Sequence, residues 1–231
     1  MKSKFPVKSS LALLSALVFA GTASIAHAQI GTGWSSYSPT MKIHLDDSSG
    51  LHTYTWTSYK SVGSPICADY QYTSSSDTHR FRILDNRSNR SEIRLENEYS
   101  SGQRQFQGYV KFSSPLDNES LMQIFGSSSG ATLTMTRGYA SSGGSIRCTG
   151  TGGSVTFGST TIATSCYGVE KRINVIHYQD HYVRWYVNGS EKCEQTDTES
   201  GITNYHKFGC YGTLNTGAVT VYWRAVRHYR K

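Results

Sequence analysis

The sequence predicts an all-β fold. Short runs rich in Val, Ile, Tyr, Phe and Thr recur along the chain, and clusters of Gly, Ser, Asn and Asp separate them, which is typical of a β-sandwich or barrel. After residue 28 no stretch has the apolar period of about 3.6 residues that marks a long amphipathic helix. The chain has 231 residues, and few segments remain for a second unit. We therefore expect one sandwich domain.

The N-terminal segment predicts export. Three lysines precede an apolar run over residues 11–20, and residues 26–28 read Ala-His-Ala, the small-x-small pattern before a signal-peptidase cut. The apolar run is shorter than the roughly 20 residues of a membrane-spanning helix. We expect a signal peptide over residues 1–28, a single domain over residues 29–231, and a secreted, extracellular protein.

The charge balance indicates which partners to expect. The net charge is +7, a mild excess of basic groups that suits a polyanion met outside the cell. No stretch resembles a nucleic-acid-binding motif, and no Cys-x-x-Cys spacing predicts a metal site. We expect a monomer that binds an acidic polysaccharide, with no nucleic acid or membrane partner and no metal or other cofactor.

Five cysteines follow the predicted signal peptide: Cys67, Cys148, Cys166, Cys193 and Cys210. In an oxidising compartment some of them should pair, and the odd number leaves at least one without a partner in the chain. A bond from Cys148 to Cys166 would close a Gly/Ser/Thr-rich loop, and one from Cys193 to Cys210 would join two late strands. We expect these two pairs, although spacing does not determine connectivity.

Nine segments are the clearest strands. They cover residues 78–84, 91–97, 105–112, 120–125, 132–137, 172–177, 182–187, 206–211 and 218–228. Asn188-Gly189 follows one of them and predicts a type I′ hairpin turn, because both residue types tolerate positive φ. Residues 139–158 are rich in Gly and Ser and predict a long loop, a candidate flap over a cleft.

Residues two apart in a strand share a face. Three predicted strands each carry polar or aromatic side chains on one face and apolar ones on the reverse. The residues on the polar or aromatic faces are Arg90, Glu92 and Arg94 on the first strand, Gln123 and Phe125 on the second, and Lys207, Gly209 and Tyr211 on the third. A solvated outer face would explain each strand taken alone. Spacing does not show whether the three faces meet.

Four short runs together resemble polysaccharide lyase family 7, the alginate lyases. Residues 90–94 read Arg-Ser-Glu-Ile-Arg, residues 123–125 Gln-Ile-Phe, residues 186–189 Tyr-Val-Asn-Gly, and residues 205–211 Tyr-His-Lys-Phe-Gly-Cys-Tyr. The family carries Arg-(Ser/Thr)-Glu-Leu-Arg, Gln-(Ile/Val)-His, Tyr-Val-Asn-Gly and Tyr-Phe-Lys-Ala-Gly-x-Tyr in the same order. This resemblance, over about residues 78–229, implies a β-jelly-roll sandwich of two antiparallel sheets with a concave substrate cleft.

The resemblance also implies the reaction. It predicts an endolytic lyase that cleaves a uronic-acid polymer such as alginate by β-elimination. The proton at C5 becomes removable only when the neighbouring carboxylate is masked, and Arg90 and Gln123 match the family residues that do this. Tyr211 matches the catalytic tyrosine, which can serve as base and as acid.

Three further residues are expected to line the substrate. Lys207 and Arg94 share the face of Tyr211 and Arg90, where positive charge favours a phenolate and attracts a polyanion. Glu92 is expected to orient the arginines.

Phe125 departs from the family pattern, because the family has a histidine there and phenylalanine cannot accept a proton. In mannuronate and glucuronate, H5 and O4 lie on one side of the ring, so a single tyrosine suffices. In guluronate they lie on opposite sides and a second base is normally needed. Phe125 therefore favours mannuronate-rich or glucuronate-type polymers. His177 and His181 are alternative bases.

Two other functions fit parts of the sequence. A non-catalytic jelly-roll module that binds acidic glycans would explain Phe125. A glycoside hydrolase on the same fold would need two carboxylates about 5–10 Å apart in the cleft, and only Glu92 is an obvious one.

Overall fold

The computed structural model describes most of the domain predicted to follow the signal peptide. It covers residues 29–56, 61–62, 67–96, 98–113, 116–127, 129–150, 158–212 and 218–231. The predicted signal peptide lies outside the described residues. Within them, no helix combines the length and the apolar character that crossing a membrane requires.

The described strands form two antiparallel sheets, a nine-stranded one and an eight-stranded one. In spatial order the nine-stranded sheet contains β15 (Ser190–Thr196), β14 (Tyr182–Val187), β13 (Lys171–Tyr178), β8 (Gln103–Phe112), β17 (Val219–Arg230), β6 (Thr78–Ile83), β5 (Ala68–Thr73) and β4 (Ser61–Val62), and β1 (Ser35–Tyr37) pairs with β17. The eight-stranded sheet contains β12 (Thr160–Thr164), β11 (Ser145–Gly150), β10 (Thr132–Tyr139), β9 (Asp117–Phe125), β16 (Tyr205–Tyr211), β7 (Arg90–Leu95), β2 (Met41–Asp47) and β3 (Gly50–Thr55). Two single-turn 3-10 helices occupy Ser74–Ser76 and Ser141–Gly143. The predicted all-β jelly-roll sandwich is confirmed.

Large apolar side chains from both sheets fill the space between them. Ile93 and Phe208 of the eight-stranded sheet are buried with Trp185 and Trp223 of the other sheet. Burying each such side chain contributes roughly 1.5–3 kcal/mol, so this packing fixes which residues of each strand face inward. The predicted alternation in the motif strands is therefore confirmed, and their polar residues occupy the outer face of the eight-stranded sheet.

All nine predicted strands form, with ends that differ by a few residues. The predicted hairpin turn is confirmed between β14 and β15, where φ is 51° at Asn188 and 90° at Gly189. The loop predicted over residues 139–158 is wrong in part, because β11 lies within it and pairs with β10 and β12. Ile146 and Cys148, two residues apart, are both buried there. Burial of alternate side chains therefore makes this segment a strand despite its high content of Gly and Ser. Residues 151–157 lie outside the described residues.

All five cysteines are free thiols, and neither predicted disulfide is formed. Cys166 donates its thiol to the Thr164 carbonyl oxygen, 3.4 Å away. Cys210 is fully buried in the middle of the eight-stranded sheet, whereas Cys193 lies on the edge strand β15 of the other sheet. Strand parity and spacing could not reveal these separations, because they depend on how the two sheets stack.

Candidate active site

Strand register brings the three motifs together on three neighbouring strands, β9, β16 and β7, and β2 lies next to β7. Lys207 of β16 is paired with Gln123 of β9 on one side and with Arg94 of β7 on the other. Tyr211 is paired with Arg90. The outer face of these strands therefore carries the family-like residues side by side.

Glu92 is the centre of a buried polar network. Its Oε1 accepts a hydrogen bond from Lys207 Nζ at 3.1 Å, and its Oε2 accepts one from Gln123 Nε2 at 2.9 Å. Thr132 Oγ1 donates to Gln123 Oε1 at 3.0 Å. The side chains of Glu92 and Lys207 are only 2% and 7% exposed, so both lie beneath the surface. Their hydrogen bonds in this structure are to each other and to Gln123. Contact of Glu92 or Lys207 with a substrate stays a prediction.

Gly209 makes room for this network. It lies opposite Glu92 in the β16–β7 pair, and its φ is 145°. A Cβ at this position would lie 2.5 Å from the Ser91 carbonyl oxygen and 2.6 Å from the Glu92 Cα, so no larger residue fits without movement. The pairing with β9 shifts register between Phe208 and Tyr211, which is a bulge. Bulges re-aim the next side chain, here Tyr211.

Arg90 and Tyr211 form the more accessible part of the site. The guanidinium carbon of Arg90 lies 4.9 Å from the centroid of the Tyr211 ring. Arg90 Nε lies 3.4 Å from Glu92 Oε1 and 3.7 Å from Asp46 Oδ2, so two carboxylates attract the guanidinium, and this buried Nε makes no hydrogen bond among the described residues. About a fifth of the Arg90 side chain remains exposed.

A polar cavity of about 390 Å³ borders Tyr211. Its walls are Asn89, Asp117, Asn118, Met135, Arg137, Tyr211 and Gly212. Arg137 Nη1 donates to the Asn118 carbonyl oxygen at 2.7 Å, which fixes a second guanidinium at the cavity wall. The cavity therefore offers hydrogen-bonding groups, one guanidinium (Arg137) and one carboxylate (Asp117) next to the phenol.

Phe125 closes the other end of the network. Its ring lies 4.7 Å from Lys207 Nζ and stacks on the Tyr205 ring with centroids 5.1 Å apart. The Arg94 guanidinium lies 4.2 Å from the centroid of Tyr205. An aromatic face attracts a cation, so this stack both covers the Lys207 ammonium and stabilises it. Arg94 stays partly exposed beside it, its side chain 21% accessible.

His44 is a site residue that the sequence analysis missed. It lies on β2 directly opposite Glu92 and is 8% exposed. Burial, followed by the charges of Lys207, Arg90 and other nearby cations, lowers the pKa of His44 to about 3. Its Nδ1 is buried and neither donates nor accepts a hydrogen bond among the described residues. The ring is therefore a neutral imidazole inside a cationic cluster.

The sequence did contain a signal for His44. Residues 41–47 read Met-Lys-Ile-His-Leu-Asp-Asp, in which Ile43 and Leu45 alternate with polar residues and are fully buried. This is the pattern of a half-buried strand. It resembles none of the family motifs, so only the pairing of β2 with β7 shows that His44 belongs to the site.

The two histidines considered as alternative bases lie on the other sheet. His177 is fully buried, with Nε2 2.8 Å from Asp197 Oδ2 and Nδ1 2.7 Å from the Tyr99 hydroxyl oxygen. His181 follows β13 at the turn into β14, and its ring lies 3.9 Å from that of Tyr178. Neither reaches the outer face of the eight-stranded sheet, so both alternatives are wrong.

Among the described residues, no group of three or more His, Cys, Asp or Glu side chains is arranged to hold a metal ion.

The fold and this outer face define a β-jelly-roll protein with a cationic, tyrosine-containing site on one sheet. Solved structures of similar shape are alginate lyases. PA1167 from Pseudomonas aeruginosa superposes with a TM-score of 0.70 at 16% identity, over 83% of this chain and 98% of that one. AlyA1 from Zobellia galactanivorans, a family 7 lyase, gives 0.61 at 17% identity, over 84% and 96%.

A third structure, alginate lyase AlyC3 in complex with dimannuronate, gives a TM-score of 0.63 at 11% identity, over 82% of this chain and 89% of that one. At these identities the likeness shows the fold, which is that of polysaccharide lyase family 7.

Sequence comparison points to a different kind of protein. A citrate-binding protein from Hevea brasiliensis is 28% identical over 145 residues, which are 61% of this chain. The match spans 56% of the length of that protein. No protein-family model matches the chain.

Proposed function

We propose that this protein is a polysaccharide lyase that cleaves a uronic-acid polymer by β-elimination. The observation that carries the proposal is the Arg90 guanidinium packed against the Tyr211 ring, 4.9 Å from its centroid, next to a polar cavity of about 390 Å³. A uronate carboxylate needs a cationic fork, and its C5 proton needs a base at the same place. The family 7 fold supports the same assignment.

The proposed mechanism divides the work among three residues. Arg90 binds the carboxylate of the sugar whose C5 proton is removed, and Gln123 assists with the amide N–H that does not bind Glu92. This masks the negative charge, so the enolate-like intermediate is stabilised as it forms. Tyr211 takes the C5 proton as a phenolate and then protonates the leaving O4. The products are a new reducing end and a sugar with a C4–C5 double bond.

Mannuronate-rich alginate is the proposed substrate. Phe125 provides no second base, so one tyrosine must remove the proton and protonate the leaving oxygen from the same side of the ring. That requirement suits mannuronate or glucuronate and excludes efficient cleavage of guluronate. Glu92 and Lys207 are proposed to position Gln123 and Arg90 from below.

We also propose that the protein acts outside the cell and cleaves internal bonds of the polymer. The signal-peptide pattern of residues 1–28 supports export. Arg137 at the cavity next to Tyr211 and Arg94 over the Tyr205 ring place a guanidinium on either side of the site, which supports binding of more than one uronate unit. Glu96 and Glu98 form ion pairs with Arg94, so a uronate carboxylate would have to compete with them there.

The test is the ultraviolet absorbance of the conjugated double bond when the protein is mixed with separate mannuronate, guluronate and glucuronate polymers. We expect product from mannuronate blocks, little from guluronate blocks, and a rapid fall in viscosity if cleavage is internal. Absence of unsaturated product from every polymer would refute the lyase proposal.

Binding without cleavage is the second candidate. It is favoured by Phe125 in place of the family histidine and by the internal hydrogen bonds that occupy Gln123 and Lys207. The citrate-binding relative suggests a small polycarboxylate as an alternative ligand. Calorimetric titration with citrate and with uronate oligosaccharides distinguishes the two. Micromolar binding of either ligand with no unsaturated product would support this candidate.

A glycoside hydrolase is disfavoured. Glu92 is 1% exposed and its two oxygens bind Lys207 and Gln123, so it is not placed to protonate a glycosidic oxygen.

A further inference from the structure

Two cysteines from opposite sheets lie side by side at one edge of the sandwich. Cys148 is on β11, which is next to the outermost strand of the eight-stranded sheet. Cys193 is on β15, which is the outermost strand of the nine-stranded sheet. Cys148 is fully buried, and Cys193 is partly buried and packs against the same core. The two positions are far apart in sequence, so this proximity results from the stacking of the sheets.

Hydrogen bonds define how the two thiols meet. The thiols of Cys148 and Cys193 are hydrogen-bonded to each other. Gln195, two residues from Cys193 on the same strand, donates its Nε2 to Cys148 Sγ at 3.4 Å. The Thr160 carbonyl oxygen, on β12, lies 3.6 Å from the same sulfur. Contacts from both sheets therefore hold the sulfur of Cys148 against β15.

We infer that Cys148 and Cys193 are a disulfide site, and that oxidation joins the two sheets covalently at this edge. The other three cysteines lie on or next to different strands. Cys67 lies before β5, Cys166 is hydrogen-bonded to the Thr164 carbonyl oxygen, and Cys210 faces the core from β16. One disulfide and three free thiols account for the odd number of cysteines.

The chemistry assigns different roles to the two sulfurs. The hydrogen bond from Cys148 lowers the pKa of Cys193, and the same bond together with burial raises the pKa of Cys148. The thiolate is the attacking species in disulfide exchange, and Cys193 is the more exposed of the two. Cys193 therefore reacts first with an external small-molecule disulfide of the glutathione type.

The exchange balances in two steps. Cys193, having lost its proton, attacks the external disulfide, forms a mixed disulfide and releases one small thiolate. Cys148 then loses its proton and attacks the Cys193 sulfur, which releases the second small thiolate. The protein loses two protons and two electrons, and the external disulfide is reduced to two thiols.

This bond would tie β11 to the opposite sheet. β11 pairs with β12, the outermost strand of the eight-stranded sheet. A covalent link from β11 to β15 would therefore join the edges of the two sheets.

The test is cysteine mapping on the whole chain after equilibration with oxidised and reduced glutathione. The protein is denatured, alkylated before and after reduction, digested and measured by mass spectrometry. We expect three alkylated cysteines before reduction and five after it, with one cross-linked peptide pair containing Cys148 and Cys193. Five alkylated cysteines before reduction, or any other linkage, would overturn the inference.

Two variants test the order of the steps. In Cys148→Ser, we expect a stable glutathione adduct on Cys193, because the second attack is blocked. In Cys67→Ser, the matched control, the cross-link should form as in the wild-type protein. If Cys148→Ser fails to fold, the wild-type mapping still decides the linkage. An adduct on Cys148 in Cys193→Ser that forms faster than the one on Cys193 would contradict the assigned order.

Discussion

The buried carboxylate of Glu92 contacts Lys207, Gln123 and Arg90, so Glu92→Gln should lower stability strongly. The change keeps the size of the side chain but removes the charge opposite the Lys207 ammonium, whose side chain is only 7% exposed. Breaking a buried ion pair by removing one partner costs about 3–5 kcal/mol, because the remaining charge is left uncompensated. The new amide still accepts one hydrogen bond, so we expect a loss of about 3 kcal/mol in the free energy of unfolding.

Urea denaturation followed by tryptophan fluorescence measures this loss. Lys207→Met and the double variant Glu92→Gln/Lys207→Met complete a double-mutant cycle. Since the double variant leaves no unpaired buried charge, its cost should be smaller than the sum of the two single costs by at least about 1 kcal/mol. The matched control is Glu194→Gln, which removes an exposed ion pair with Arg184 and should cost less than about 1 kcal/mol.

A different result would refute this description of the network. If Glu92→Gln costs no more than Glu194→Gln, the buried carboxylate does not hold the face together. Additive costs in the cycle would mean that Lys207 and Glu92 do not stabilise each other in solution.

Three further predictions concern single side chains. Tyr211→Phe should reduce turnover on the best uronan by about 10²–10⁴-fold, because it removes the proton-transfer group and keeps the ring. Turnover and uronan binding are measured in parallel. Unchanged turnover would exclude Tyr211 as acid and base. His44 has a pKa of about 3 in the folded protein against 6.5 as its ordinary value, so the unfolded chain binds this proton first and stability falls as the pH drops below about 6.5. Between pH 7 and 5, His44→Gln should therefore lose about 2 kcal/mol less stability than the wild-type protein, as measured by urea midpoints at each pH, and equal losses would contradict the buried neutral imidazole. Phe125→His should keep mannuronate cleavage and add cleavage of guluronate blocks, detected as unsaturated product; the same substrate range as the wild-type protein would mean that this position does not set specificity.

The strands and their faces could be predicted from the sequence because they depend on neighbours along the chain. Residues 90–94 and 205–211 alternate polar and apolar side chains, and burying the apolar set fixes the outward set without knowledge of the partner strands. The positive φ of Asn188 and Gly189 is likewise a local property. Local pattern and motif order therefore determined the fold class, the hairpin turn and the face that carries Arg90 and Tyr211.

Only the tertiary structure decided which strands are neighbours. The pairing of β2 with β7 brings His44 next to Glu92, and the stacking of the sheets places Cys148 against Cys193 while separating the two predicted pairs. Burial of Lys207 beneath Phe125 is decided in the same way. These contacts join residues far apart in sequence, and their formation depends on how all the apolar faces pack at once, which no local pattern encodes.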